Sequence, residues 1–373
     1  MGAPVDRCRG PTEVVPMSIG SAFAPARGTI YLDAATYGLP PTDTILAMRR
    51  ALRQWQTGLG HWIDDFDSAA DPARESFAQL IGARADEVAT IPAVSVGVGM
   101  VAQALQPGDE VVVPADEFTS VLYPFLVAER RGVRVRPVAL SDLPDAVGAS
   151  TTLVATSLVQ MQTGRAAPIA DIVDAARSHG ARVLVDATQS VPVTPLPVPI
   201  GDIDVLVAAG YKHLLCPRGA SFLYVRRGIW DDYQPVDANW RSAVPAYGHY
   251  FGGPLELAEG AHRFDVSHAW MSWVGARESL RQLVAWQADG SLAQVRRHAA
   301  TLARGLGVVD HGTTLVCVSA DDDAGLARAV RAARIKGSIR GGALRLSPHL
   351  HTTDADIARA IEVIRPFVTG SPA

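Results

Sequence analysis

The chain has 373 residues, 48% of them apolar, which is enough for two ordinary cores rather than one. A formal net charge of −4, spread without blocks of one sign, argues against nucleic acid or a membrane surface as partner, and no run of about 18 apolar residues marks a transmembrane span. Cys8, Cys216 and Cys317 form no CxxC or metal-ligand spacing, which argues against a disulfide framework or a metal site and fits a reducing cytoplasm.

The first 16 residues carry Pro, Gly and charge without the apolar core of a signal peptide, and residues 1–25 read as a disordered tail in which Met17 is an alternative start to Met1. Pro41 and Thr42 then open a helix with Ile45, Met48, Leu52 and Trp55 on one stripe. β-rich runs follow at 110–114, 133–138, 151–157, 181–186, 204–209 and 220–225, several of them separated by helical stretches such as PIADIVDAARSHG. Continuous apolar strands alternating with helices predict an α/β fold, a mostly parallel sheet sandwiched by helices, with ligands beyond the carboxyl ends of the strands. After about residue 255 the pattern changes to helices over 272–306, a strand at 313–318, a helix at 322–334, a strand at 343–347 and a helix at 353–367. This predicts a large domain over 26–255 and a smaller α+β domain over 256–373.

Two residues at predicted strand ends carry the chemistry. Lys212 follows the run VLVAAGY, and Asp186 ends the run RVLVD. A lysine among small residues at a strand end can form a Schiff base with an aldehyde, and a buried aspartate can hold a pyridinium nitrogen protonated; pyridoxal phosphate needs both from a protein. Around them, Ser95, Val96 and Gly97 open an apolar helix whose free N–H groups suit a phosphate. Phe118, just past the 110–114 strand, can stack on a pyridine ring, and Gln189 can donate to its phenolate oxygen. Gln160 lies past the 151–157 strand, Tyr211 can present its hydroxyl to the phosphate, and His213 follows the lysine.

In order, LDAATYG (32–38), SVG (95–97), EF (117–118), VQMQTG (159–164), VDATQS (185–190), GYKHLLCPRG (210–219) and LRLSPHLHTTDADI (344–357) resemble the class V aminotransferase family of fold type I pyridoxal phosphate enzymes. The resemblance runs from about residue 30 to the end. It implies a phosphate held by Ser95, Val96 and Gly97 and by groups beside the lysine, Phe118 on the ring, Asp186 at the pyridine nitrogen, Gln189 at the phenolic oxygen and Lys212 as the Schiff-base lysine. It also implies a homodimer with a shared active site, and Arg345 as the clamp on the α-carboxylate of an amino-acid substrate, for which guanidinium gives a bidentate, permanent charge. Thr36, Tyr37, His249 and Tyr250 are further expected substrate contacts, and His61 with Trp62 can line the pocket.

The residues depart from the cysteine desulfurases of this family. KGSIRGGALR has no cysteine before the arginine, Cys317 reads as strand core, Phe118 stands for their ring-stacking histidine, and Ala209 stands where they place a phosphate-binding serine. These choices are nearer to kynureninase, isopenicillin epimerase-like enzymes and cysteine-conjugate sulfoxide lyases. The expected function is therefore a lyase cleaving the Cβ–S bond of a cysteine conjugate. Aminotransferase, epimerase and decarboxylase chemistry are alternatives on the same fold, and an inactive scaffold is the alternative outside catalysis.

Overall fold

The computed structural model describes residues 19–248 and 250–369, so most of the expected tail, and His249, lie outside the described residues. Residues 19–25, assigned to the tail on composition, are ordered: Phe23 is buried and stacks on Trp286 at 5.6 Å.

In chain order the strands are β1 (Ile30–Tyr31), β2 (Val88–Ile91), β3 (Glu110–Pro114), β4 (Arg134–Val138), β5 (Thr151–Ser157), β6 (Arg182–Asp186), β7 (Val205–Ala209), β8 (Ser221–Val225), β9 (Val316–Val318), β10 (Ile335–Lys336), β11 (Ser338–Arg340) and β12 (Ala343–Leu346). The helices are α1 (Thr42–Thr57), α2 (Ala70–Ile81), α3 (Val94–Ala104), α4 (Thr119–Ala128), α5 (Leu143–Ala146), α6 (Ile169–His179), α7 (Trp270–Ala288), α8 (Ala293–Leu306), α9 (Asp323–Ala332) and α10 (Asp354–Ile364).

A seven-stranded sheet in the order β2-β8-β7-β6-β5-β3-β4 forms the centre. Strands β3 to β7 pair in parallel, while β8 runs antiparallel to both β7 and β2. Strands β3, β6, β7 and β8 are buried on both faces, as their unbroken apolar sequences require. Two apolar cores flank the sheet: one contains Phe77, Ile172, Phe222 and Trp273, the other Val98, Phe125, Val207 and Leu223.

The antiparallel sheet β11-β12-β9 and helices α8, α9 and α10 enclose a third core around Leu302, Val318, Leu346 and Ile364. The sequence boundary at 255 is crossed in both directions. Helix α7 packs on α1 and α2 of the large layer, whereas β1 pairs in parallel with β10 and Leu32 enters the small core.

Helix α1 also presents a different face to the core than its apolar stripe suggests. Thr44, Ala47 and Ala51 are buried, because their small side chains let α1 approach α7; Thr44 and Ser279 hydroxyls meet at 2.8 Å. Leu52 and Trp55 are exposed instead, Trp55 by 62%, and Ile45 and Met48 line a surface cavity.

Candidate functional site

Lys212 lies in the turn between β7 and β8, at the carboxyl edge of the sheet. Gly210 makes that turn possible: its N–H donates to the Ala220 carbonyl at 3.0 Å and its own carbonyl accepts the Cys216 N–H at 2.9 Å, so the chain doubles back immediately. A Cβ at Gly38 would lie 2.2 Å from the Lys212 carbonyl, so only glycine lets the 32–38 segment close over the lysine.

Lys212 and Asp186 line one cavity of about 130 Å³ with Ser95, Phe118, Ser120, Thr188, Tyr211, Arg218 and Ser221. Lys212 Nζ sits 5.4 Å from the Phe118 ring centroid and 5.9 Å from that of Tyr211. Burial lowers its pKa to about 8, against the opposing effect of Asp186 and with further lowering by Arg345 and Arg340. Burial raises the Asp186 carboxyl above its usual range, although Thr188 donates its N–H to Oδ1 at 2.9 Å and Lys212 is near. A pyridinium N–H would give that carboxylate the cationic donor it lacks.

Helix α3 begins at this cavity. Its N-cap is Ala93, which offers no side-chain acceptor, so the sheet-facing end of the helix keeps open N–H groups beside Ser95. The expected trio divides here. Ser95 faces the cavity, but the Val96 N–H donates to the Ala93 carbonyl, and Gly97 packs on the sheet, where a Cβ would meet Ile91 and Val207 at 3.1 Å. Gly97 is therefore a close-packing glycine, and neither it nor Val96 lines the cavity.

The two glutamines also differ from expectation. Gln189 donates one Nε2 hydrogen to the Ala35 carbonyl at 3.1 Å, keeps the second, and leaves Oε1 unpartnered. Gln160 accepts from Thr163 at 2.7 Å and holds a buried Nε2 without partner, and neither glutamine lines the lysine cavity. His213 turns away from the cavity into the protein. It is fully buried, stacks on His349 at 5.7 Å, and both ring nitrogens lack partners; burial, then His349 and Lys212, hold its pKa well below the ordinary value.

A second cavity of about 430 Å³ shares Tyr211 and Arg218 with the first and is lined by Thr36, Tyr37, Pro40, Ile45 and Met48. Thr36 and Tyr37 thus stand at the approach to Lys212. Arg345 is 1% exposed: Nη1 donates to the Met161 carbonyl at 3.0 Å, Nη2 to Thr36 Oγ1 at 2.8 Å, and Nε is unpartnered. Tyr250 and Trp62 lie elsewhere, in an aromatic cluster with Trp240, Tyr247 and Trp270, and His61 forms an exposed pair with Asp64. None of these lines the lysine cavity of this chain. Cys317 is not core: it is half-buried, directly opposite Arg345 in the ladder, with Sγ 3.3 Å from the Gln162 carbonyl.

Sequence reasoning missed Glu117, Thr188, Arg218 and Ser221. Glu117 is a buried carboxylate accepting from the N–H groups of Ser157 and Phe118, both at 2.7 Å, and so joins the Phe118 loop to the end of β5. Its signal was present in the Glu-Phe pair, while Arg218 is a cation that only the return of the turn brings back to the cavity.

The cavity fits pyridoxal 5′-phosphate on its own chemistry. A buried carboxylate stands ready for a ring nitrogen, an aromatic face for the ring, an uncapped helix start for the phosphate, and a buried amine for the aldehyde. Among the described residues, no group of three or more His, Cys, Asp or Glu side chains could hold a metal, and no helix is long and apolar enough to cross a membrane.

Comparison with known proteins agrees with this cofactor. A probable cysteine desulfurase from Aeropyrum pernix is 32% identical over 227 residues, 56% of this chain, and the chain spans only 55% of that relative. Isopenicillin N epimerase from Streptomyces clavuligerus is 27% identical over 335 residues, 78% of this chain and 83% of the relative. In fold, a cystine C-S lyase solved with its product cysteine persulfide superposes with a TM-score of 0.80 at 22% identity, covering 92% of this chain and 99% of the other. The aminotransferase class-V model matches residues 30–334, and the chain belongs to that family of pyridoxal phosphate enzymes.

Proposed function

We propose that the chain is a pyridoxal phosphate-dependent lyase that cleaves the Cβ–S bond of a cysteine conjugate. The observation that carries this is a buried lysine amine with a pKa lowered to about 8, beside a buried aspartate, with no thiol among the described residues that ionises at neutral pH. Burial pushes Cys317 up to about 11 despite Arg345, and pushes Cys216 further. Neither offers a thiolate to take up sulfur, so the sulfur departs with its own substituent.

The bound cofactor supplies an electron sink for the bond broken at Cα. Asp186 keeps a proton on the ring nitrogen and Phe118 covers one ring face. Arg345 meets the α-carboxylate through Nε and Nη2, with Thr36 yielding its hydrogen bond. Lys212, half neutral near pH 8, takes the Cα proton and returns a proton to the departing sulfur. The three-carbon remainder hydrolyses to pyruvate and ammonia, which balances the reaction. The similarity to a probable cysteine desulfurase supports a cysteine-derived substrate, and the fold shared with a cystine C-S lyase accommodates C–S cleavage.

A second copy of the chain is the proposed partner, seated on the exposed apolar stripe of α1 and completing the site at the outer cavity; Trp55 and Leu59, 62% and 82% exposed, continue that stripe. Light scattering of the purified protein measures this.

The test of the reaction is release of pyruvate and thiol from S-substituted cysteines by the holoprotein, abolished by Lys212→Ala. Absence of both products, while amino acids still perturb the cofactor absorbance, rejects the lyase. The longer overlap with isopenicillin N epimerase favours Cα inversion as the second reading. Deuterium uptake at Cα from heavy water with inversion and no thiol release identifies it, and dependence on a keto acid identifies an aminotransferase.

A further inference from the structure

Two arginines share one face of the small sheet, and only one is committed to the protein. In the β11-β12 ladder Ser338 lies opposite Arg345 and Arg340 opposite Ala343, so Ser338, Arg340 and Arg345 point to one face while Ile339 and Leu344 point to the other. That face looks toward the large domain: Thr36 Oγ1 lies 3.4 Å from Ser338 Oγ and accepts from Arg345. The hairpin tip is seated on the 160–164 turn, since a Cβ at Gly341, where φ is +54°, would fall 2.0 Å from Gln162 Nε2. Arg340 and Arg345 are diagonal neighbours across the ladder, about 7–8 Å apart at Cα.

Their guanidinium groups differ in what they touch. Arg345 is fixed by Met161 and Thr36, with Asp33 Oδ1 at 3.7 Å. Arg340 makes one hydrogen bond, from Nη1 to the carbonyl of its neighbour Ile339 at 2.8 Å, and no carboxylate among the described residues pairs with it. Its charge nevertheless acts on Lys212, whose amine it helps hold toward the neutral form. A half-buried, uncompensated guanidinium beside a substrate site is a ready partner for an anion.

We propose that the substrate is an amino acid bearing a second anionic group on its side chain, with Arg345 holding the α-carboxylate and Arg340 the distal anion. This rests on the reading of the site as one for amino acids. The diagonal spacing suits a side chain of three or four atoms ending in a carboxylate, as in S-carboxymethyl-cysteine, and Arg340 is then a specificity-determining residue.

The experiment measures binding to the holoprotein from the change in cofactor absorbance, with L-2-aminoadipate and L-norleucine as a matched acidic and neutral pair, and S-carboxymethyl-L-cysteine and S-ethyl-L-cysteine as a cleavable pair. The wild-type protein is expected to bind the acidic member at least about tenfold more tightly. Arg340→Ala removes that preference and leaves the neutral Kd within about twofold, and Arg340→Lys restores part of it. Equal affinity within each pair in the wild type, or equal weakening of both members by Arg340→Ala, overturns the proposal. Acidic preference without thiol release from S-carboxymethyl-cysteine rejects the lyase reading and sustains this one; thiol release without preference does the reverse.

Discussion

Thr188 Oγ1 accepts the Ala209 N–H at 2.9 Å while the Thr188 N–H donates to Asp186 Oδ1 at 2.9 Å. One residue therefore ties the aspartate at the end of β6 to the strand end that leads into Lys212, and sets the distance between the two groups a pyridine aldehyde must bridge. Thr188→Val keeps the shape and removes the acceptor, leaving a buried N–H unsatisfied. The expected loss of stability is about 1–3 kcal/mol by denaturant titration, with weaker cofactor binding. Thr188→Ser restores both, and a valine variant that binds cofactor normally would show that the link does not position the pair.

The lowered pKa of Lys212 predicts the pH dependence of cofactor capture by the apoprotein. The neutral amine attacks the aldehyde, so the capture rate rises with pH and levels off above about 8. Asp186 opposes the lowering, and removing its charge in Asp186→Asn moves the inflection to lower pH; Arg340→Ala, removing a nearby positive charge, moves it higher. Stopped-flow absorbance across pH measures both shifts, and opposite directions would contradict the placement of these charges.

Among the described residues Arg218 is the one cation besides Lys212 that lines the cofactor cavity, and its guanidinium stacks on the Tyr211 ring at 5.3 Å. With Ala209 in place of a hydroxyl donor, this side chain joins the α3 start and the hydroxyls of Ser120, Ser221 and Tyr211 as the cavity groups suited to a phosphate dianion. Arg218→Ala is expected to weaken pyridoxal phosphate about tenfold, the scale of one charge-assisted hydrogen bond, and to leave the affinity for pyridoxal, which has no phosphate, nearly unchanged. Equal weakening of the two would mean that Arg218 acts on the turn and not on the phosphate.

The sequence signalled the parallel strands because burial on both faces demands unbroken apolar runs such as Val111 to Val113. It did not reveal β2, whose four residues VATI pair antiparallel with β8 and are too short to show a period. The α1 stripe was legible, but not its direction, since small residues rather than large ones set how closely α1 meets α7. At the site, Lys212, Asp186, Ser95 and Phe118 announced themselves by position at strand ends and helix starts. His213 did not, because adjacency in sequence carries no information about which side of a turn a side chain takes; Leu215, at φ 58°, turns this segment sharply. Arg340 was invisible for a related reason: its face depends on hairpin register, which the run KGSIRGGALR leaves open.

Asp265 joins the segments that support this edge of the sheet. It accepts from Arg74 at 2.6 and 3.0 Å, from the Thr90 N–H at 2.8 Å and from the Thr90 hydroxyl at 2.9 Å, with both charged partners buried. Burial alone would raise its pKa, yet Arg74, Arg241 and the Thr90 N–H together hold it below the ordinary value. A carboxyl depressed in the folded state stabilises the fold fully above its unfolded pKa of about 4, and that contribution disappears as pH falls through the lower folded value. Asp265→Ala leaves the buried Arg74 with only the half-exposed Asp71 at 3.4 Å as counter-ion and is expected to cost about 3 kcal/mol at neutral pH, more than an exposed pair such as Arg177 with Asp202. Denaturant titrations between pH 3 and 7 should show the wild type losing more stability than the variant toward acid, because the variant has already lost the ionised group. Parallel pH profiles for the two proteins would show that Asp265 titrates alike in both states and that its role is packing alone.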